Sequence, residues 1–392
     1  MKKFIAVLGL LASGSPLHAA SSLTVPPYEG VYQPQGIDEI GLWNDADESE
    51  KELNNSALLV RDEELTKYVK SVLCKTVGAD RCGKTRVYIM RVPIFNASMD
   101  HNGTMRIYSG LLLRVKNEAE LGSILGHEFG HFEKRHGLQR FKKSRSGSDL
   151  VAWASILSSS YIQFNTAQLI VYGSYFNFSR ENEREADMLG LAYLKNGPLR
   201  PQAASLVWQN IMGEQQASAA GKGLKKPKLQ SAAYFASHPS DFERAAYLQT
   251  LAGPPTPEQT EGKEPYAAAM KSWLPLFLDD QIKLNDFGAS EYIINSLAAD
   301  GWTADLWHMR GELFRLRGNP RDHVNALDFF REALALDPFK VESYRGLGLS
   351  LMKTGQREEA ASVFKRYLEL SPEAKDANMI KMLLPTTPEA KP

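Results

Sequence analysis

The sequence predicts a mainly α-helical protein of the α+β class, with a small β-hairpin at one edge of a first domain and a second domain of helical repeats. Three observations predict this fold. Helical patterns cover most of the chain, an Asn-Gly turn separates two short alternating segments, and two similar helix pairs occupy the last third. The 392 residues suffice for two or three domains. Acidic and basic residues balance at 46 each, so nothing indicates a nucleic-acid partner.

The first residues have the three-part pattern of a secretory signal peptide. Lys2 and Lys3 precede an apolar stretch over Phe4–Ala12, and small residues follow at Ala19 and Ala20. We interpret residues 1–19 as a signal peptide for export to the periplasm, with an ordinary N-terminal helix as the alternative. The apolar stretch is too short to span a bilayer.

Residues 20–55 contain several prolines and glycines and then an acidic run, Asp45–Glu50. This composition predicts an extended arm with little core of its own. The two cysteines, Cys74 and Cys82, lie close together. In an exported protein such a pair favours a disulfide, which would contribute about 2–3 kcal/mol to stability.

The first domain is predicted over residues 56–252. Residues 86–92 alternate in the manner of a strand, and Asn102-Gly103 is a strong turn signal before a second alternating segment, Thr104–Tyr108. We interpret Thr104–Tyr108 as a strand or hairpin edge. A helix is predicted directly downstream, over Glu118–His136, with Gly137 as its stop.

Residues 150–179 contain no Asp, Glu, Lys or Arg. Serine, asparagine and glutamine interrupt the segment, so no apolar run approaches the roughly 20 residues of a membrane span. A buried connection or a lid is favoured over membrane contact, which would be peripheral at most. A further helix is predicted from about Arg180 to Lys195.

A proline-rich linker over residues 253–265 precedes a helical domain over residues 266–380 and a tail over residues 381–392. Two segments in that domain match a tetratricopeptide unit of about 34 residues, one of them with a turn about three residues longer, near Asn319–His323. A degenerate third unit is predicted around Trp273–Leu297. A generic helical bundle is the alternative. Repeats of this kind stack into concave surfaces that bind peptides or proteins.

The residues most informative about chemistry are His127-Glu128-Phe129-Gly130-His131, an H-E-x-x-H motif on a predicted helix. Residues four apart share a helix face, so both imidazoles can reach one metal ion. Glu128 lies about 100° around the helix, where it can accept a proton from a metal-bound water. The alternative is a pair of surface histidines with no ligand role.

A catalytic zinc usually takes three protein ligands, so one more is needed. Gly137 and Lys134 exclude the metzincin pattern, which requires a histidine and a glycine at those positions. His136 would lie about 140° from His131 if the helix continued. We therefore interpret His136 as a helix-end histidine.

The third ligand is predicted on the helix that begins near Arg180. On that helix Glu183 shares a face with the small residues Ala186 and Gly190, which permit close packing on the histidine helix. Asp187, one turn further on, can accept the free N–H of a ligating histidine. The remaining acids, Glu181 and Glu185, are predicted to point away. A solvated acidic face is the alternative.

This arrangement predicts one Zn²⁺ per chain and metal-assisted hydrolysis, with Glu128 as the general base. The oxyanion needs an additional donor, for which His238 is the candidate. Taken alone, a single histidine of this kind is more often structural.

Together these motifs resemble metallopeptidase family forty-eight, a gluzincin family, over roughly residues 56–250. The matching pieces are Phe95-Asn96-Ala97, Gly110-Leu111-Leu112, His127–His131, Glu183 with Ala186 and Asp187, and His238-Pro239 with Arg244. The resemblance implies a zincin-type helical metalloprotease domain with a small edge hairpin. It also implies Glu183 as a ligand and Asp187 beside the ligands. The histidine matching His238 is implied to assist catalysis or to occupy the metal in a latent enzyme.

The signal peptide and the repeats favour the BepA-like group of that family. This likeness implies a periplasmic endopeptidase that degrades misfolded or misassembled envelope proteins, with a repeat domain that contacts the outer-membrane assembly machinery. An extended substrate is expected to pair with the predicted edge strand, near Asn96, Met105 and Ile107. Two alternatives are a chaperone or assembly factor with a latent or structural zinc site, and a hydrolase of non-peptide substrates.

Overall fold

The computed structural model describes residues 26–29, 32–145, 178–225 and 242–384. The predicted signal peptide, residues 150–177 of the charge-free region, and His238 lie outside the described residues. The predicted mainly helical fold with a small sheet is confirmed, and a helical region follows the sheet-containing domain.

The N-terminal region differs from the predicted extended arm, because a helix, α1, spans Gly36–Asn55. Its acidic residues contact the sheet. The Glu50 carboxylate accepts hydrogen bonds from Arg86 and, at 2.7 Å, from the Tyr88 hydroxyl. Asp47 accepts from the Asn102 side chain at 2.7 Å. These distant partners stabilise a helix whose own apolar pattern is weak.

Helix α2, Glu63–Val77, begins at Asp62, whose carboxylate accepts hydrogen bonds from two backbone N–H groups of the first turn. A short helix, α3, spans Ala79–Cys82. A disulfide joins Cys74 to Cys82 and therefore ties the end of α2 to α3.

A three-stranded sheet contains β1, β2 and β3, at Arg86–Met90, Ala97–Met99 and Thr104–Tyr108. A hairpin with its turn at Gly103, whose φ is 89°, is present, but its first strand is β2 and not the alternating segment over residues 86–92. The prediction that Thr104–Tyr108 forms an edge of the sheet was wrong. Strand β3 is central, because β1 pairs with it in parallel on its other side. Met105 and Ile107 are accordingly 0% exposed.

The helices that carry the site follow the sheet. After α4, Ser109–Leu112, come α5, Glu118–Glu133, and α6, His136–Arg145. Helix α5 ends three residues before the predicted end, because Arg135 adopts a φ of 54° and turns the chain. The next described helices are α7, α8 and α9, at Arg180–Asn196, Ala203–Gly221 and Phe242–Ala252.

The C-terminal region is helical throughout its described residues. Its helices α10 to α17 span Lys263–Met270, Leu274–Ile282, Phe287–Leu297, Ala304–Arg317, Pro320–Leu336, Val341–Lys353, Arg357–Leu370 and Ala377–Leu383. The pair α13–α14 does not have the longer turn that we predicted. Only Gly318 and Asn319 separate the two helices, and the additional residues extend α14.

Two glycine–phenylalanine contacts recur in these pairs. A Cβ on Gly311 of α13 would come within 2.6 Å of the Phe330 ring on α14. In the same way, a Cβ on Gly348 of α15 would come within 2.4 Å of the Phe364 ring on α16. Each glycine therefore permits the ring of the following helix to pack against its backbone.

The predicted linker is packed against the first domain. The backbone N–H of Thr260 donates to the Pro198 carbonyl at 2.8 Å, and its carbonyl accepts from Arg200 at 3.0 Å. Arg91 also forms a two-bond ion pair with Asp280, at 2.6 and 2.7 Å. Within the described ranges, no helix has the length and apolar character of a membrane span.

Candidate metal centre

The structure brings His127, His131 and Glu183 together between α5 and α7. The Nε2 atoms of the two histidines are 3.1 Å apart. The Glu183 carboxylate oxygens lie 3.5 Å from Nε2 of His127 and 3.4 Å from Nε2 of His131. Each of the three side chains is at most 4% exposed. Among the described residues, these three form the group that could hold a metal ion.

The spacing of these donor atoms fits a small divalent metal. Zinc binds imidazole nitrogen and carboxylate oxygen at about 2.0–2.2 Å with tetrahedral angles, which places neighbouring ligand atoms about 3.3 Å apart. The three observed separations, 3.1, 3.4 and 3.5 Å, lie close to that value. Two imidazoles and one carboxylate also leave a coordination position for water or substrate.

Asp187 lies against His127 and fixes the orientation of its imidazole. Its Oδ1 atom lies 2.9 Å from Nδ1 of His127, so the imidazole donates its Nδ1–H and directs the Nε2 lone pair toward the metal position. Burial would raise the pKa of Asp187, but the Arg244 guanidinium and His127 hold it far below its ordinary value. Asp187 is therefore ionised when it accepts this hydrogen bond.

Arg244 and Tyr247, both on α9, hold Asp187 in place. The Arg244 guanidinium donates to Asp187 from Nε at 2.7 Å, and its Nη1 atom lies 3.2 Å from Glu183. Tyr247 donates its hydroxyl to the same Asp187 carboxylate. Arg244 also packs over the Trp208 ring at 4.3 Å. Arg244 belongs to a motif in the sequence but had no predicted role, and Tyr247 was not predicted to lie at the site.

His131 is oriented by groups that the sequence did not predict. Its Nδ1 atom lies 2.9 Å from Nδ1 of His136, and the Phe178 ring stacks on its face at 3.9 Å between centroids. The interpretation of His136 as a simple helix-end residue was therefore incomplete. The turn at Arg135 brings the imidazole of His136, which is 0% exposed, back over His131.

Glu185 also departs from its predicted outward orientation. It is half-exposed, yet its Oε2 atom lies 3.1 Å from Nε2 of His136 and its Oε1 atom lies 2.9 Å from Lys134 Nζ. The Lys134 hydrogen bond lowers the pKa of Glu185, whereas burial lowers the pKa of His136. A carboxylate thus faces a neutral imidazole near pH 7.

The general-base candidate, Glu128, lies next to the ligand His127 on α5 and is 2% exposed.

The residues predicted to bind an extended substrate do not share one edge strand. Asn96 precedes strand β2 and is buried, and β2 rather than the predicted β3 lies at an edge of the described sheet. His238 lies outside the described residues, so its predicted part in catalysis stays a prediction.

A buried site with two histidines from an H-E-x-x-H helix and a glutamate from a second helix is typical of metal-dependent peptidases. Residues 60–252 match the model of Peptidase family M48. This match and the relatives described next support a metalloprotease.

The chain is 29% identical over 189 residues to mitochondrial metalloendopeptidase OMA1 of Schizosaccharomyces pombe, which covers 47% of this chain and 52% of the relative. It is 23% identical over 239 residues to the beta-barrel assembly-enhancing protease of Escherichia coli, covering 58% of this chain and 47% of the relative. Metalloprotease YcaL of Escherichia coli is 27% identical over 157 residues, which cover 39% of this chain and 57% of the relative. The chain thus spans about half the length of these relatives.

Proposed function

We propose that the protein is a zinc-dependent endopeptidase of the gluzincin type. The observation that carries this proposal is the buried cluster of His127, His131 and Glu183, with ligand atoms 3.1–3.5 Å apart, beside an intact Glu128. A purely structural zinc site needs no adjacent general base, so Glu128 favours catalysis over a structural role.

The residues around the cluster have separate tasks in peptide hydrolysis. When bound, zinc would supply a Lewis acid that polarises the scissile carbonyl. Glu128 accepts a proton from the attacking water and passes it to the leaving amine. Asp187 and Arg244 keep the imidazole of His127 in one tautomer and one orientation, so the ligand does not need to reorganise during the reaction.

We further propose that the protein acts in the bacterial periplasm on misfolded or misassembled envelope proteins. The disulfide between Cys74 and Cys82 supports an oxidising compartment, as does the signal-peptide pattern over residues 1–19. One relative is named for enhancing β-barrel assembly. The proposal extends to quality control of outer-membrane proteins on this basis.

The C-terminal helix pairs are proposed to be tetratricopeptide-like repeats that recruit clients or the outer-membrane assembly machinery. The recurrent contacts Gly311–Phe330 and Gly348–Phe364 support this reading, because each repeat places a small residue opposite the same large one. Stacked units of this kind provide a binding surface without altering the catalytic site.

Degradation of an unfolded protein by the zinc-loaded chain, with Glu128→Gln beside it, tests the proposed activity. We expect cleavage by the parent and a loss of at least about 100-fold in the variant, because general-base catalysis is removed. Both proteins should bind zinc equally. Equal cleavage would refute the role of Glu128 and indicate a contaminant.

Inactivity of both proteins would favour the alternative of a chaperone or a latent enzyme. The variant His238→Ala separates these two. Release of proteolysis in that variant indicates latency, and continued inactivity with protection of an unfolded client from aggregation indicates a chaperone.

A further inference from the structure

We propose that His136 and Glu185 form a positioning relay that orients the ligand His131 and strengthens metal binding, separately from the Asp187 pair that orients His127. The inference rests on the proposed metal site. Its basis is a continuous series of contacts, from His131 Nδ1 to His136 Nδ1 at 2.9 Å and from His136 Nε2 to Glu185 Oε2 at 3.1 Å.

Hydrogen-bond chemistry allows one arrangement of protons along this series when a metal is bound. His131 directs Nε2 toward His127 and Glu183, so its Nε2 must offer a lone pair and its Nδ1 must carry the hydrogen. That hydrogen points at His136 Nδ1, which must then accept. His136 consequently carries its hydrogen on Nε2 and donates it to the Glu185 carboxylate.

The hydrogen-bonded groups behind His131 are arranged like those behind His127, although different residue types supply them. In both, a ligand imidazole donates its Nδ1–H to a buried acceptor, and a carboxylate and a cation complete the chain. For His127 these are Asp187 and Arg244. For His131 the carboxylate acts through an additional imidazole, and Lys134 is its cation.

Backbone geometry supports a dedicated position for His136. A regular continuation of α5 would place this residue about 140° away from His131. The positive φ of Arg135, 54°, is unfavourable for a non-glycine residue, yet it is the step that returns His136 over the ligand. The Phe178 ring, stacked on His131, covers one face of the imidazole.

The experiment uses the full chain and measures two properties that do not depend on proteolysis. These are the zinc dissociation constant, from competition with a chelator, and the visible absorption spectrum of the cobalt-substituted protein. The variants are His136→Ala, which removes the acceptor, and His136→Asn, whose side-chain oxygen can replace Nδ1 as the acceptor. Glu185→Ala removes the carboxylate, and the control Glu181→Ala removes an exposed carboxylate one turn earlier on the same helix.

We expect His136→Ala to raise the zinc dissociation constant by about 10- to 100-fold and to change the cobalt spectrum. His136→Asn should recover most of the affinity. Glu185→Ala should show a smaller loss of about 3- to 10-fold, and Glu181→Ala should bind metal as the parent does. A purely structural role for His136 would lower thermal stability but leave the cobalt spectrum of the folded protein unchanged.

Parental affinity and cobalt spectrum in both His136→Ala and Glu185→Ala would overturn the relay while leaving the metal site intact. If His136→Ala does not fold, Glu185→Ala decides alone, since its side chain is half-exposed and its loss leaves the core intact. A parent protein that binds no metal would instead refute the proposed function, and the relay with it.

Discussion

Replacement of Gly190 by alanine should weaken metal binding, because this glycine lies where α7 crosses α5. A Cβ at this position would lie 3.1 Å from the backbone nitrogen of His127 and 3.4 Å from its Cα. Neither atom can rotate away as the end of a flexible side chain would. The two helices must therefore separate by a few tenths of an ångström, and Glu183 on α7 moves away from His127 on α5.

The expected loss of zinc affinity in Gly190→Ala follows from two opposing effects on the free energy of the metal-bound state. Overpacking of a close contact costs about 1–3 kcal/mol, and the better helix propensity of alanine returns up to about 1 kcal/mol. A net loss of about 1–2 kcal/mol that falls on the metal-bound state corresponds to a zinc dissociation constant about 5- to 30-fold higher. Chelator competition measures this change directly.

Gly41→Ala is the matched control. Gly41 lies in helix α1, and a Cβ there would meet no atom within 4 Å. This variant should gain up to about 1 kcal/mol in unfolding free energy and bind zinc as the parent does. If Gly190→Ala also retained parental affinity, the close approach of α5 and α7 would not be what holds the three ligands together.

Three further predictions concern other parts of the molecule. Asp187→Asn should weaken zinc binding by about 10- to 100-fold in chelator competition, and parental affinity would contradict its role behind His127. Cys82→Ser should lower the unfolding free energy in urea by about 2–3 kcal/mol, an effect that a reductant should reproduce in the parent but not in the variant. Burial would raise the pKa of Glu50, but hydrogen bonds from Arg86 and Tyr88 lower it to about 2. The contribution of ionised Glu50 to the free energy of unfolding is therefore present above about pH 4.5 and is lost as the pH falls through about 2. Glu50→Gln should thus be less stable than the parent at pH 7, with a difference that shrinks between pH 4 and pH 2.5; a constant difference would contradict this assignment.

The grouping of His127, His131 and Glu183 could be predicted because it depends on two regular helices. Residue spacing on a helix fixes which side chains share a face, and both helices remain regular through their ligand positions. The position of His136 could not be predicted in this way. Helix α5 does not continue through this residue, because Arg135 adopts a left-handed conformation that no local sequence pattern indicates.

Other features depend on contacts between residues far apart in the chain. Arg244 reaches Asp187 from 57 residues away, and neither segment alone predicts this pairing. The hairpin was predictable from its Asn-Gly turn. The parallel strand β1, which makes β3 central, was not, because parallel pairing has no adjoining turn to mark it. Helix α1 likewise depends on acidic side chains whose partners lie on the sheet.

The most direct test of the central claim is a zinc titration of proteolytic activity in metal-free protein. If His127, His131 and Glu183 hold one catalytic metal, cleavage of an unfolded protein should rise with added zinc and level off at one equivalent per chain. Glu183→Gln should lose most of this response, and Glu181→Gln, on the exposed face of the same helix, should retain it. Cleavage by the parent that needs no added metal and resists a chelator, or a parental titration curve for Glu183→Gln, would contradict the proposed site.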